Sequence, residues 1–340
     1  MKRQDTFPFT AIIGQENMKQ ALVLNVVNPR LGGVLIQGEK GTAKSTAVRA
    51  LADLLPPRRC IKGCRFHDDP DAPAAWCDEC HEKYDGKAPE VELLPMKVVE
   101  LPVSATEDRV VGTLDIEAAI REGKRSFETG ILADANRNIL YVDEINLLDD
   151  HVVDVLLDSA AMGINTVERE GISYSHPARF SLVGTMNPEE GDIRPQLLDR
   201  FALSVYVAGE KDLDKRAEVI KRRLEYEDDP AAFVAKWEEE QKNEVRRIER
   251  AMKLLPQVTA DNEILRLAAK LSIALGGDGH RADITLIKTA ETLAAMDGHT
   301  EVNREDLRTA AKLALPHRMR RRPFEEQSLN WDDVDKVIDE

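Results

Sequence analysis

The sequence predicts an α/β layer fold with a largely parallel sheet, followed by a smaller all-helical domain. Three observations carry this expectation. Apolar runs followed by helix-like patterns recur through residues 1 to about 205, the alternation that a parallel sheet with crossover helices produces. Three of the runs are nearly continuously apolar, as strands covered on both faces are. After Val207 the strand signal stops, and helix formers and charge take over.

In chain order the candidate strands are GGVLIQG, MKVVELP, NILYVDE, FSLVGTMN and ALSVYV. They place residues 1–207 in one α/β domain, with a cysteine-rich insert at 58–90. Residues 208–256, beginning AGEKDLDKRAEVIKRRL, read as a helical connector. Residues 257–340 contain NEILRLAAKLSIAL, ADITLIKTAETLAAM and NREDLRTAAKLAL, amphipathic helices separated by Gly-rich or capped turns. They form the small helical domain.

A chain of 340 residues suits two domains, and its 42% hydrophobic content suffices for a core. The net charge of −15 opposes tight nonspecific nucleic-acid binding. The basic stretch HRMRRRP, His317 to Pro323, is the one local exception. A solvated helix end or a subunit contact accounts for it better than a nucleic-acid site does. No apolar run approaches the roughly 20 residues of a membrane span, and MKRQDTFPFT lacks a signal-peptide core. A cytoplasmic protein is expected.

The stretch GEKGTAKST, residues 38–46, joins a strand to a helix. Gly38, Gly41, Lys44 and Ser45 match the phosphate-loop pattern G-x-x-x-x-G-K-[ST], with Ala43 where the last glycine normally stands. Such a loop turns backbone N–H groups onto phosphate oxygens, and the next helix adds its dipole. Gly38, Glu39, Lys40, Gly41, Thr42, Ala43, Lys44, Ser45 and Thr46 are therefore candidate nucleotide contacts. Lys44 is expected on the β- and γ-phosphates and the Ser45 hydroxyl on Mg²⁺. Ala43 is harmless if its dihedrals are right-handed, and costs about 1–2 kcal/mol if φ is positive. The alternative is a glycine-rich turn that binds nothing.

NILYVDEIN supplies a second half. Asp143 at the strand end is placed for the Mg²⁺ water shell, and Glu144 for polarising the attacking water. An N-K-x-D base-recognition motif is missing, so ATP is the expected nucleotide. In FSLVGTMNPEEGDIRPQLLDRF, Asn187 is placed to orient that water and Arg200 to neutralise the γ-phosphate, in cis or from a neighbour. The bland alternative for Arg200 is a salt bridge to Asp199 or Glu189. Arg281 opens a helix after a Gly-rich turn and can reach back to the nucleotide, or simply start a helix.

Together these stretches resemble the ATPase subunit of magnesium chelatase, an AAA+ P-loop NTPase of the helix-2-insert group. The resemblance covers nearly the whole chain and is most specific in VGTLDIEAAIREGK…FETGILADAN, ahead of Asp143-Glu144. It implies that Asp143 and Glu144 are the Walker B pair, Asn187 the sensor-1 residue, Arg200 a trans-acting finger and Arg281 the sensor-2 arginine. It further implies a hexameric ring of this chain, with FTAIIGQ lining the adenine pocket. The implied partners are an AAA+ subunit with an integrin-like domain and a large tetrapyrrole-binding subunit. Two insertions, around 112–127 and 164–178, become the contact levers. The runner-up in the same fold is a MoxR-like chaperone ATPase working with an integrin-like-domain protein.

Departing from that family pattern, all four cysteines fall in CIKGCRFHDDPDAPAAWCDECHEKY. The spacing C-x₃-C-x₁₂-C-x₂-C, with His67 and His81 nearby, suits structural Zn²⁺ on Cys60, Cys64, Cys77 and Cys80. Free or redox-sensing thiols and an iron–sulfur site remain alternatives.

Overall fold

The computed structural model describes residues 6–39, 41–115, 126–169, 172–275, 280–318 and 331–339. Its strands are β1 (Val34–Gly38), β2 (Arg58–Ile61), β3 (Val91–Leu94), β4 (Val98–Leu101), β5 (Gly112–Asp115) and β6 (Ser126–Thr129). They continue with β7 (Ile139–Val142), β8 (Ile164–Arg169), β9 (Ile172–Pro177), β10 (Ser181–Met186) and β11 (Leu203–Val207).

The five apolar segments of the sequence build one sheet, in the order β11-β1-β10-β7-β4. Every neighbouring pair in it is parallel. Residues of β7 and β10 are buried throughout because both faces are covered. Alternation along β1 divides its side chains between two cores. Val34 and Ile36 join Leu22, Leu51 and the C-terminal helices on one face. Leu35 joins Leu140, Leu182 and Phe201 on the other, together with the cysteine-rich insert.

That insert is an antiparallel β2–β3 hairpin with the short helix Asp78–Tyr84 between its strands. Two further hairpins, β5–β6 and β8–β9, occupy the two insertions flagged in the sequence. Residues 116–125 and 170–171 of those insertions lie outside the described residues.

Beyond β11, helices run from Leu213 to Asp228, Pro230 to Lys236 and Glu238 to Leu254. The three amphipathic segments become the helices Asn262–Ala274, His280–Asp297 and Arg304–Ala314. Asp261 caps the first by accepting from the Ile264 amide, and Asn303 with Asp306 forms a capping box on the third. Leu271, Leu286, Leu293 and Leu307 continue the same core as Val34 and Leu22, so the helical part packs directly on the sheet domain.

The reading of the basic stretch is corrected at its first two residues. His317 and Arg318 are neither solvated nor free for a partner. The Arg318 side chain is only 2% exposed and donates to the carbonyls of Asp199, Phe201, Ala202 and Ala314. His317 Nε2 shares a 2.8 Å hydrogen bond with the Phe201 carbonyl. Residues 319–323 lie outside the described residues.

Candidate functional site

Strand β1 delivers the candidate phosphate loop. At Gly38, φ is +142° and a Cβ would lie 1.9 Å from the Val207 carbonyl oxygen, so only glycine lets β1 run this close to β11. Gly41, at φ +81°, faces open space. The Thr42 hydroxyl braces the loop by donating to Glu39 O at 2.8 Å. The Lys44 ammonium turns inward onto the carbonyls of Gly38 (2.5 Å) and Glu39 (3.2 Å).

The helix Lys44–Leu54 starts with no side-chain cap and no acidic residue in its first turn. Its leading amides and dipole are left to an anion, with Lys44, Ser45 and Thr46 half-buried around them. An uncapped, acid-free helix start under an open glycine corner fits the phosphates of a nucleotide. Lys40 lies outside the described residues. Ala43 takes the costlier of its two expected conformations, with φ 60° and ψ 21°. The loop therefore holds about 1–2 kcal/mol of strain that a glycine would not feel.

Register brings up the other groups. Gln37 pairs with Met186, and Val142 with Gly184. Asn187 consequently falls beside Gly38, and Asp143 beside Thr185. The buried Thr185 hydroxyl donates to Asp143 Oδ1 at 2.5 Å and accepts from the Glu144 amide at 3.2 Å. Tyr141 donates to the same carboxylate oxygen at 3.0 Å, its phenol pushed up by burial. Glu144 sits in the left-handed region at φ 52°, ψ 51°, a strained conformation of the kind found at functional turns. Asn187 is 7% exposed and accepts from the Glu189 amide at 3.3 Å. Thr185 was missed in the sequence; its only signal was a polar residue inside an apolar strand.

The arginines make different pairs from those expected. Arg200 bridges Asp154 and Asp158 of the Asp150–Met162 helix, each at 2.8 Å, rather than Asp199 or Glu189. Asp199 instead receives Arg281 at 2.8 Å and Arg318 at 3.3 Å. Arg281, although half-exposed, thus points at the residue next to Arg200. Burial lowers Arg318 to about 10, against the pull of Asp199. The Gly-rich turn before Arg281, residues 276–279, lies outside the described residues.

The family model for the AAA domain of the dynein-related subfamily matches residues 92–201, and that for an AAA lid domain matches residues 265–339. The magnesium-chelatase subunit ChlI homolog of Methanocaldococcus jannaschii is 56% identical over 100% of this chain and 93% of its own. The chain belongs to the magnesium-chelatase ChlI (38 kDa) subunit family. A second relative, the magnesium-chelatase 38 kDa subunit of Acidiphilium rubrum, is 53% identical over 94% of this chain and 93% of its own. Among solved structures, a reconstruction of the complex between subunits BchI and BchD of magnesium chelatase matches with TM-score 0.56 and 48% identity. It covers 98% of this chain and 100% of that one. A putative ATPase from Cytophaga hutchinsonii shares the fold at TM-score 0.59 and 18% identity, over 91% of this chain and 83% of that one.

In this ChlI-family chain the four expected cysteines do not all gather in one place. Cys64, Cys77 and Cys80 gather with Asp68, and their ligand atoms all lie within 4.8 Å of one another. Cys60 stands apart, fully buried, with its sulfur accepting from Arg137 Nη1 at 3.7 Å. Burial pushes the Cys60 thiol up. All four cysteines are free of disulfides. Asp68 carried no signal in the sequence, because a carboxylate in HDDPD looks like any acidic loop.

Proposed function

We propose that the chain is the ATP-hydrolysing AAA+ motor subunit of a magnesium-chelatase-like complex, driving metal insertion into a tetrapyrrole through partner subunits. The observation that carries this reading is the common end of β1, β10 and β7, where Lys44, Asn187 and Asp143-Glu144 converge around an uncapped helix start. Loop amides and Lys44 hold the β- and γ-phosphates, while Ser45 and Asp143 hold the Mg²⁺ that arrives with ATP. Glu144 aims and polarises the attacking water, and Asn187 fixes its far side. The turn at Phe9–Ala11 packs between the Lys44–Leu54 and Glu238–Leu254 helices, which suits it to walling the adenine.

Arg200 acts on the γ-phosphate of the neighbouring subunit in a hexameric ring, and Arg281, from the helical lid at 257–340, on its own. The 208–256 helices connect lid to sheet. Both guanidiniums are held by aspartates, so contact with a phosphate would exchange these carboxylates for it. The partners of the ring are an AAA+ subunit with an integrin-like domain and a large subunit that carries the macrocycle. The inserted metal is cargo. Its insertion is uphill in part because Mg²⁺ surrenders water reluctantly, and hydrolysis offsets that. The cysteine-rich insert adds a resident structural zinc ion. Kinship along the whole chain weighs against the chaperone alternative.

The test is ATP hydrolysis by the purified protein, alone and with the subunits encoded beside it, together with metal insertion into protoporphyrin. Hydrolysis with neighbour-dependent insertion supports the reading. Hydrolysis without insertion of any divalent metal, under conditions where a known chelatase works, returns the chaperone function to the front.

A further inference from the structure

We infer that Cys64, Asp68, Cys77 and Cys80 hold one Zn²⁺ ion as a closed tetrahedral centre, and that this ion sets the loop bearing Arg65 and Phe66 beneath the two hairpins β5–β6 and β8–β9. The spacing of the four ligand atoms, all within 4.8 Å of one another, suits a tetrahedral ion. Zn–S bonds of about 2.3 Å place neighbouring sulfurs about 3.8 Å apart, and the sulfurs of Cys64 and Cys77 are separated by 3.9 Å. The Phe66 amide donates to Cys64 Sγ at 3.4 Å, the outer contact that orients a thiolate ligand.

Asp68 supplies the independent sign of a cation. It is 1% exposed, and its Oδ2 accepts from the Cys77 amide at 2.7 Å. Its Oδ1 is buried with no hydrogen-bond partner, and no ion pair to Asp68 occurs among the described residues. A buried carboxylate oxygen without a donor or a cation is costly. A metal ion among three sulfurs removes that cost.

The donor set selects the metal. Three thiolates and one carboxylate oxygen suit tetrahedral Zn²⁺ and are too soft for Mg²⁺. A cluster of iron and sulfide takes four thiolates, and the fourth thiol, Cys60, is committed to Arg137. The insert also needs a staple, since a single hairpin and a helix of seven residues are marginal by themselves.

What the ion positions follows from the residues between its ligands. Arg65 Nη1 donates to the Phe127 carbonyl of β6 at 2.9 Å. Phe66 is fully buried and stacks on His176 of β9 with ring centroids 4.7 Å apart. Phe127 in turn stacks on Tyr174 of β9 at 4.3 Å. One ligated loop thus supports the base of both hairpins. None of these contacts involves Lys44, Asp143, Glu144 or Asn187, so the centre stands apart from ATP turnover.

The experiment uses the full-length protein, expressed with zinc in the medium and purified without chelator. Elemental analysis should find one zinc per chain, and zinc-edge X-ray absorption should fit three sulfurs at about 2.3 Å and one oxygen at about 2.0 Å. Cys60→Ser should keep its zinc against a competing chelator, whereas Cys80→Ser and Asp68→Ala should lose it. Stripping the zinc should speed proteolytic cleavage of both hairpins while ATP hydrolysis continues. A four-sulfur shell abolished by Cys60→Ser, bound iron in place of zinc, or no tightly held metal after zinc reconstitution of the reduced wild type would each overturn the assignment. Hairpin cleavage unchanged on zinc removal would overturn the role beneath the hairpins.

Discussion

Replacing Ala43 with glycine isolates the strain in the phosphate loop. Ala43 has φ 60° and ψ 21°, immediately before the Lys44–Leu54 helix. An L-residue with a Cβ is disfavoured there by about 1–2 kcal/mol. Glycine removes this penalty but loses about 0.4–1 kcal/mol through the greater freedom of its unfolded chain. No side chain at 43 caps the helix, so no hydrogen bond is sacrificed. The net expectation for Ala43→Gly is a gain of about 0.5–1 kcal/mol, corresponding to a midpoint rise of roughly 2 °C. Urea unfolding followed by circular dichroism reads the gain, and binding of a fluorescent ATP analogue shows whether the looser loop weakens affinity. Ala43→Val should move the other way, because a β-branched residue tolerates a positive φ poorly. Destabilisation by Ala43→Gly, or tolerance of Ala43→Val, would refute the left-handed conformation and the strain argument with it.

Lys44→Ala should abolish nucleotide binding, whereas Glu144→Gln should keep it and lower turnover by about 10²–10⁴-fold, as equilibrium binding and phosphate release will show. Arg200→Ala rings should hydrolyse poorly but recover when mixed with Lys44→Ala subunits; mixed rings that assemble without recovery would rule out action in trans. Thr185→Val keeps the shape but removes the hydroxyl that donates to Asp143 and accepts from the Glu144 amide, so stability should fall by about 1–3 kcal/mol along with turnover. Burial holds His317 down to about 3, so the unfolded chain takes up its proton first as pH falls below the ordinary histidine value. That contribution to stability is intact above about pH 6.5 and is lost progressively below it, by about 2 kcal/mol at pH 5. Thermal midpoints of wild type and His317→Asn at pH 7 and pH 5 should show the smaller acid loss in the variant. His176 and His67 are lowered by burial as well and make the acid loss shared.

The candidate phosphate loop is legible because its pattern is local. Gly38, Gly41, Lys44 and Ser45 lie within one turn of backbone, and their spacing alone suggests phosphate. The five strands were equally legible, since the inner ones are buried on both faces and read as continuous apolar runs. The pairings of Arg200, Arg281 and Arg318 were not. Long side chains choose partners in space, and Asp154, Asp158 and Asp199 are unremarkable acidic residues in the chain. The cysteine spacing named three of the four residues that gather in the insert. It could not reveal that Cys60 turns to Arg137 while Asp68 replaces it, because strand β2 orients Cys60 and the loop beyond it orients Asp68.

By itself the sequence determined the fold class, the loop that follows β1 and the kinship, because each is written in contiguous residues or in a periodic pattern. Tertiary structure alone decided the strand order β11-β1-β10-β7-β4, which inserts β10 between the strand of the loop and the strand of Asp143. That order makes Thr185 the brace of Asp143 and Glu144 and sets Asn187 beside the loop. The physical reason is that pairing in a parallel sheet is long-range. Crossover connections leave each strand free to find its neighbours by packing, and the chain order does not record the choice.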